Sequence, residues 1–340
     1  RFSPLIDGSL GVVLLFFSIL TMFMAGLGAS YEFDLKKVIA LSTLSQLGLM
    51  MSVLSLGDSH LAFFHLLTHA LFKALLFMCS GCIIHNLSNC QDIRYMGGLV
   101  NFMPLTCGYF SICNSALCGL PFLAGFYSKD LIMEILSMSY FNFFNLLIFY
   151  LSVGLTVFYS IRLSYYLLML NWSFYSLSLV MDSSSYMFKG MTGLIFLVVF
   201  GGSSLVWLVF PTPYFIILPF YMKMMVIFFI LLGIWLGFEF SKFMVGYKLN
   251  SCIFIISSFF LSSMWNLPVL STVGINHKFI NLGDMFYKFS DNGWFEYFGS
   301  QNIYFNMISV SGFMHLIFSN SIKIYLSFLS IWLLLVFLFF

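Results

Sequence analysis

The 340-residue chain is 61% hydrophobic and only 8% charged, with 14 Lys and Arg against 12 Asp and Glu and a formal net charge of +2. An ordinary soluble domain is roughly a quarter charged, so no soluble core could hide this much apolar surface. The small net charge and the lack of any basic block exclude a nucleic-acid partner and leave the lipid bilayer as the surroundings the composition demands.

Apolar runs predict spans near 10–29, 38–56, 60–85, 99–136, 141–169, 191–210, 220–240, 251–270 and 322–340, about eight to nine crossings of a polytopic all-α bundle. The chain opens on Arg1 without a signal-type start and is expected to be a piece lacking its beginning. Most of the seven cysteines sit in apolar runs, where they act as small hydrophobes and leave the redox compartment unreadable. The 45 Phe and 21 Met, with few Ala, match the bias of an AT-rich genome such as a mitochondrial one.

The loops after the first and third spans, YEFDLKK (31–37) and NLSNCQDIRYMGG (86–98), carry Lys36, Lys37 and Arg94, whereas GDS (57–59) carries no Lys or Arg. The positive-inside rule puts the two basic loops on one inner, matrix-like side, with the loop around Arg162 beside them. Within the second span, Ser42, Thr43, Ser45 and Gln46 could line a water chain or hold helices together.

The third span reads HLLTHALFKALLF (65–77). A four-residue step on a helix advances ~6 Å and drifts only ~40°, so His65, His69 and Lys73 form one polar stripe. Ionisable groups at that depth face a bundle interior or a hydrated cavity rather than lipid. Histidine titrates near neutrality and burial weakens a lysine's hold on its proton, so both suit a relay that loads and releases, with water between groups too far apart to touch. Helix packing by the histidines and snorkelling by Lys73 are the plainer alternative. CSGC (79–82) followed by His85 has a zinc-like or redox-like spacing, but no second ligand pair follows and an apolar helix does not stabilise a thiolate.

Residues 99–136 are too long for one simple span and are interrupted by CGLPFLAGF (118–126), where Pro121 removes a helix hydrogen bond and Gly119 and Gly125 are expected to loosen the backbone. Such broken helices mark transport sites when protein or water satisfies the freed groups. FYSKDLIMEIL (126–136) follows directly and sets Lys129 beside Asp130 and Glu134, a cation able to switch partners or, on the plainer reading, a solvated loop. Arg162, in FYSIRLSYY, is expected at the inner interface. The stretch GDMFYKFSDNGWFEYFGSQNIYF (283–305) turns polar and aromatic, with Asp284 and Lys288 one turn apart, as in a lateral amphipathic helix preceding a terminal anchor. No P-loop, dinucleotide fingerprint or nucleophile elbow is present, so chemistry on a soluble substrate is not encoded.

The strings DLKKVIALSTLSQLGLMM (34–51), HLAFFHLLTHALFKALLFMCSGCIIH (60–85), QDIRYMGGL (91–99) and LPFLAGFYSKDLIMEIL (120–136) closely resemble the chain 5 family of NADH-ubiquinone oxidoreductase, the distal antiporter-like membrane subunits of mitochondrial respiratory complex I. Beyond about residue 170 the resemblance is one of layout. It implies the second of two inverted helical repeats over 1–170, further transmembrane helices over 171–275, and a lateral helix with its anchor over 276–340. It also implies a relay through His65, His69, Lys73 and Lys129, with Lys36 or Lys37 as the basic pair and Asp130 and Glu134 beside the lysine of the broken helix. Cys82 and Cys90 stand where the family would carry small or polar residues, which further weakens a metal reading. The resemblance implies proton translocation driven by quinone reduction elsewhere. NADH, FMN, iron-sulfur clusters and ubiquinone would then be held by other chains, with none in this one. The partners implied are the lipid of the mitochondrial inner membrane and other membrane-arm subunits, including neighbouring antiporter-like ones. An Mrp-type cation/proton antiporter subunit shares these motifs, and a purely structural membrane scaffold is the rival from another class.

Overall fold

The computed structural model describes residues 3–138, 142–175, 180–182, 185–243, 255–319 and 322–339, and the chain divides into two compact units, Arg1–Asn266 and Leu267–Phe340. Among the described residues all regular structure is helical, beyond one isolated bridge between Asp34 and Asp92. Helix is what a chain this apolar requires, because lipid offers its backbone no hydrogen bonds. Seven helices are long and apolar enough to cross a membrane among the described residues, which makes this a multi-pass membrane protein.

In the first unit, α1 (Gly8–Tyr31) and α2 (Leu35–Ser55) form an antiparallel pair, followed by α3 (Ser59–Asn86). The turn before α2 meets the loop after α3. Leu35 donates its N–H to Gln91 at 2.9 Å, Ile93 donates to Phe33 at 3.0 Å, and the Arg94 guanidinium lies 4.4 Å from the Phe33 ring centroid. The two basic loops therefore share one end of the bundle, as their charges predict.

The expected broken helix is present as α4 (Pro104–Cys118) and α5 (Ala124–Met138). Pro104 sits in the first turn of α4, where a missing N–H costs nothing. That turn is capped from afar, by the Asp182 carboxylate accepting from the Leu105 N–H at 3.0 Å and the Thr106 hydroxyl at 3.3 Å. Gly119 ends α4 in the left-handed region at φ +85°, a conformation glycine adopts without strain. Gly125 has a different task from the loosening expected of it. A Cβ there would stand 1.8 Å from the Ala116 carbonyl oxygen, so its missing side chain lets the two half-helices touch.

The bundle is completed by α6 (Phe143–Ser164), which runs on into a wide turn over Tyr165–Met169, α7 (Ser185–Val209) and α8 (Phe220–Phe243). Backbones of α6 and α8 approach closely, since a Cβ on Gly233 would meet the Gly154 carbonyl oxygen at 2.5 Å, the small-residue packing usual in membranes. The span expected at 251–270 is described only from Ile255. There α9 (Ile255–Ser262) stops at a turn in which Met264, Trp265 and Asn266 all have positive φ, and a new helix starts at Leu267, so 251–270 is not one continuous span.

Two buried apolar clusters form the core of this unit. On α2 one holds Leu35, Val38, Ile39 and Leu41 and the other Leu49 and Val53; on α3 the first begins at Phe72 and the second ends at Ala62; on α6 the second ends at Val157 and the first begins at Tyr159. The buried polar residues Ser42, Ser45, Gln46, His65, Thr68, His69 and Thr156 fall at the change from one to the other. The fold thus carries a polar layer between two oily ones.

The second unit is one helical run over 267–319, containing α10 (Gly274–Phe286) and α11 (Asn302–Ser319), followed by α12 (Ile322–Phe339). At ~1.5 Å per residue the run is on the order of 75 Å long. It starts well before the change of composition at Gly283, and wider π-type turns cover Tyr287–Phe295 and Tyr297–Gln301. The Asp284–Lys288 pair closes at 2.8 Å on its surface.

Candidate functional site

The stripe read on α3 is buried. His65 is 1% exposed, Lys73 4% and His69 8%, while Lys129 on α5 is 2% exposed. His65 bridges two helices: its Nδ1 is 2.9 Å from the Ser128 hydroxyl of α5 and its Nε2 3.2 Å from the Gln46 amide oxygen of α2. A neutral ring fits with the Nε2–H donating to the carbonyl oxygen and Nδ1 accepting from the hydroxyl. Thr68 donates to Ser128 at 3.0 Å, tightening the contact between α3 and α5. His69 stands 6.2 Å from His65 between ring centroids and 5.3 Å from the edge-on Phe72 ring, and its Nε2 has no hydrogen-bond partner among the described residues.

A helical side chain leans toward the N-terminus of its helix, which carries the Lys73 ammonium back to the polar layer. There it donates to the Ser42 hydroxyl and, at 3.5 Å, to the Ile39 carbonyl of α2. The Lys129 ammonium donates to the Thr156 hydroxyl of α6 at 2.7 Å and to the Leu117 carbonyl at 3.3 Å. Leu117 is in the last turn of α4, whose carbonyls lack helical partners and carry the negative end of the helix dipole. The break in the helix thus supplies the oxygen that holds the cation.

The expected grouping of Lys129 with Asp130 and Glu134 is only partly realised. All three lie on α5, but among the described residues no ion pair joins them, and the buried Asp130 Oδ1 has no hydrogen-bond partner. Both side chains reach the break, with the Asp130 Oδ1 3.6 Å and the Lys129 Cδ 3.8 Å from where a Cβ on Gly119 would stand, and the Lys129 ammonium goes on to partners on α4 and α6. Lys36 and Lys37 are exposed at the start of α2, apart from the buried groups. Lys37 pairs with Asp34 at 2.7 Å and holds that carboxyl below the usual range, whereas burial holds Asp58, at the opposite end of α2, above it.

Arg162 is not an exposed interfacial cation. It is 4% exposed, and its Nη1 donates to the carbonyls of Ala29 (3.4 Å), Ser30 and Glu32 (2.9 Å), closing the end of α1 from α6. Of the α2 hydroxyl and amide groups, Ser42, Ser45 and Gln46 join the site, while Thr43 bonds its own helix at Ala40. Cys79 and Cys82 face the Met191 and Met187 sulfurs of α7, at 3.7 and 3.8 Å, and His85 is exposed. Among the described residues no three His, Cys, Asp or Glu side chains gather as metal ligands would.

Sequence reasoning missed Thr68, Ser128, Thr156 and Tyr159. The available signal was the run Ser152, Thr156, Ser160 at helical spacing in an otherwise apolar segment, a buried polar stripe on α6.

Comparison with known proteins places these residues in context. The family described as NADH dehydrogenase subunit 5 C-terminus matches residues 159–340, and the one described as NADH:quinone oxidoreductase/Mrp antiporter, TM, matches residues 1–158. NADH-ubiquinone oxidoreductase chain 5 of Locusta migratoria is 48% identical over all of this chain and 60% of its own length, and that of Aedes aegypti 52% identical over 98% and 57%. The chain therefore spans less than two thirds of the length of these relatives. The solved Mrp complex from Dietzia sp. matches with a TM-score of 0.55 at 19% identity, over 77% of this chain and 31% of that one, a likeness of fold.

Proposed function

Because the chain belongs to the NADH dehydrogenase subunit 5 family, we propose that it works as part of a membrane subunit of respiratory complex I, in the mitochondrial inner membrane, and takes part in moving protons as NADH is oxidised by ubiquinone. In this reading the redox groups sit in other subunits, and this chain contributes only protonatable side chains and the hydrated route between them. Its partners are neighbouring membrane subunits of the same complex.

One observation carries the reading. Lys73 and Lys129 are both buried, and among the described residues each is held by a hydroxyl and a carbonyl oxygen with no carboxylate paired to it. Ionisable side chains kept inside a membrane bundle and held there by neutral oxygens are the kind that line ion and proton pathways. His65 stands between them, linked through Gln46 toward α2 and through Ser128 toward α5. Its two ring nitrogens can take a proton on one side and release it on the other. Gaps too wide for direct transfer, such as that at His69, are crossed by water.

The test replaces Lys73 or Lys129 by Met in the whole subunit and measures assembly of the complex, quinone reduction and proton uptake in liposomes. Assembly is expected to survive while proton translocation is lost. Normal translocation with impaired assembly would leave the scaffold reading standing instead, and translocation that depends on sodium would favour an Mrp-type antiporter.

A further inference from the structure

The route just described leaves open how the Lys73 end communicates with His65, because the direct path along α3 passes His69, whose Nε2 lacks a hydrogen-bond partner among the described residues. A different group spans that interval. Tyr159 of α6 is 1% exposed, among the largest fully buried side chains. Its hydroxyl lies 3.5 Å from the Ser45 hydroxyl, on the stretch of α2 that also carries Ser42 and Gln46. Ser42 is the partner of the Lys73 ammonium and Gln46 the partner of His65 Nε2. The same helix, three residues earlier, supplies Thr156 to Lys129.

From this arrangement, and resting on the proton-translocating reading above, we infer that Tyr159 is a positioning residue: its hydroxyl holds Ser45, which lies between Ser42 and Gln46 on α2, and so couples the Lys73 partner to the His65 partner across α2 rather than along the α3 stripe. The physics favours a fixed phenol here. Hydroxyl hydrogens rotate freely, and Ser42 and Ser45 otherwise turn to their own helix, donating to the carbonyls of Ile39 at 2.7 Å and Ser42 at 2.9 Å. A buried phenolic O–H on a rigid ring gives the Ser45 hydroxyl a second partner and so favours one arrangement of the α2 groups on either side of it. Tyr159 does not need to lose its proton for this; it sets which way the neighbouring hydrogens point.

The experiment replaces Tyr159 by Phe in the whole subunit of the assembled complex, which removes one oxygen and keeps the ring in its apolar surroundings. Assembly and the KM for quinone are expected to hold, while the rate of proton translocation falls about five-fold or more, the scale of one buried hydrogen bond. Ser42→Ala combined with Tyr159→Phe is expected to lose little beyond either change alone, because both break one link. If Lys73→Met and Lys129→Met abolish translocation while Tyr159→Phe leaves its rate unchanged, the inference about Tyr159 is wrong and the function stands. If the lysine changes leave translocation intact, the function itself falls. A Tyr159→Phe chain that fails to assemble would assign the hydroxyl a folding role and overturn the inference equally.

Discussion

Replacing Gly125 by Ala probes the joint on which the candidate site is built. The added methyl carbon would begin 1.8 Å from the Ala116 carbonyl oxygen and 2.8 Å from its carbon, and real Cβ atoms essentially never come within 3.0 Å of such a neighbour. Both obstacles are backbone, so no side-chain rotation relieves them; α5 must draw back from the end of α4 by about 1.2 Å or more at that point. Overpacking of this kind costs about 1–3 kcal/mol. The displacement also acts on Lys129, one turn further along α5, because its 3.3 Å bond to the Leu117 carbonyl crosses the same joint. A hydrogen bond from a charged group contributes about 1.5–3 kcal/mol, so a part of that is lost as well. The assay is the amount of assembled complex together with its rate of proton translocation, and the expected outcome is a several-fold drop in the first and a larger drop in the second. Gly81→Ala is the matched control, since nothing lies within 4 Å of a Cβ at that helical position. Wild-type levels and rates in the Gly125→Ala chain would show that the close approach of the half-helices is not what holds Lys129 in place.

Other changes reach the remaining contacts. Thr156→Val keeps the shape of α6 but leaves the Lys129 ammonium with the Leu117 carbonyl alone, and should slow translocation with assembly retained, read in liposomes. Arg162→Gln should destabilise the fold by about 1–3 kcal/mol, because the carbonyls at the end of α1 lose a buried donor; a melting curve of the solubilised protein checks this. Asp182→Ala removes a distant cap from α4 and should cost about 1 kcal/mol in the same measurement. Asp58→Asn should raise the melting temperature slightly at neutral pH. Burial raises the folded pKa of Asp58, so the folded state holds that proton more tightly and the charged form opposes folding at higher pH; the gain should vanish in acid, where the wild-type carboxyl is protonated in the folded and unfolded states alike.

How much of this could be read from the residues depends on whether a feature is local. The stripe His65, His69, Lys73 was legible because its spacing is a property of one helix and its residue types are costly in an apolar run. The broken helix was legible from Pro121 and the flanking glycines, but the role of Gly125 was not, since close packing against Ala116 is a fact about two segments meeting. The partners of the charged groups were hidden for the same reason: His65 and Ser128 are 63 positions apart, and a serine in an apolar helix is usually bonded to its own backbone. Charge alone also failed to sort the cations. Lys36 and Lys37 border a loop and are exposed, Arg162 borders a loop and is buried against the end of α1, and only the folded neighbourhood separates the two cases.

Under the proposed function, the way the two buried lysines are held bears on how they would work as a pair. A lysine ammonium has three N–H donors, and among the described residues each of these two has two oxygen partners. The two lysines are also held by different means. Lys73 leans on the continuous helix α2, whereas Lys129 leans on the end of α4, a half-helix whose joint with α5 can shift. A small movement at the break would change the oxygen environment of Lys129 while leaving that of Lys73 in place.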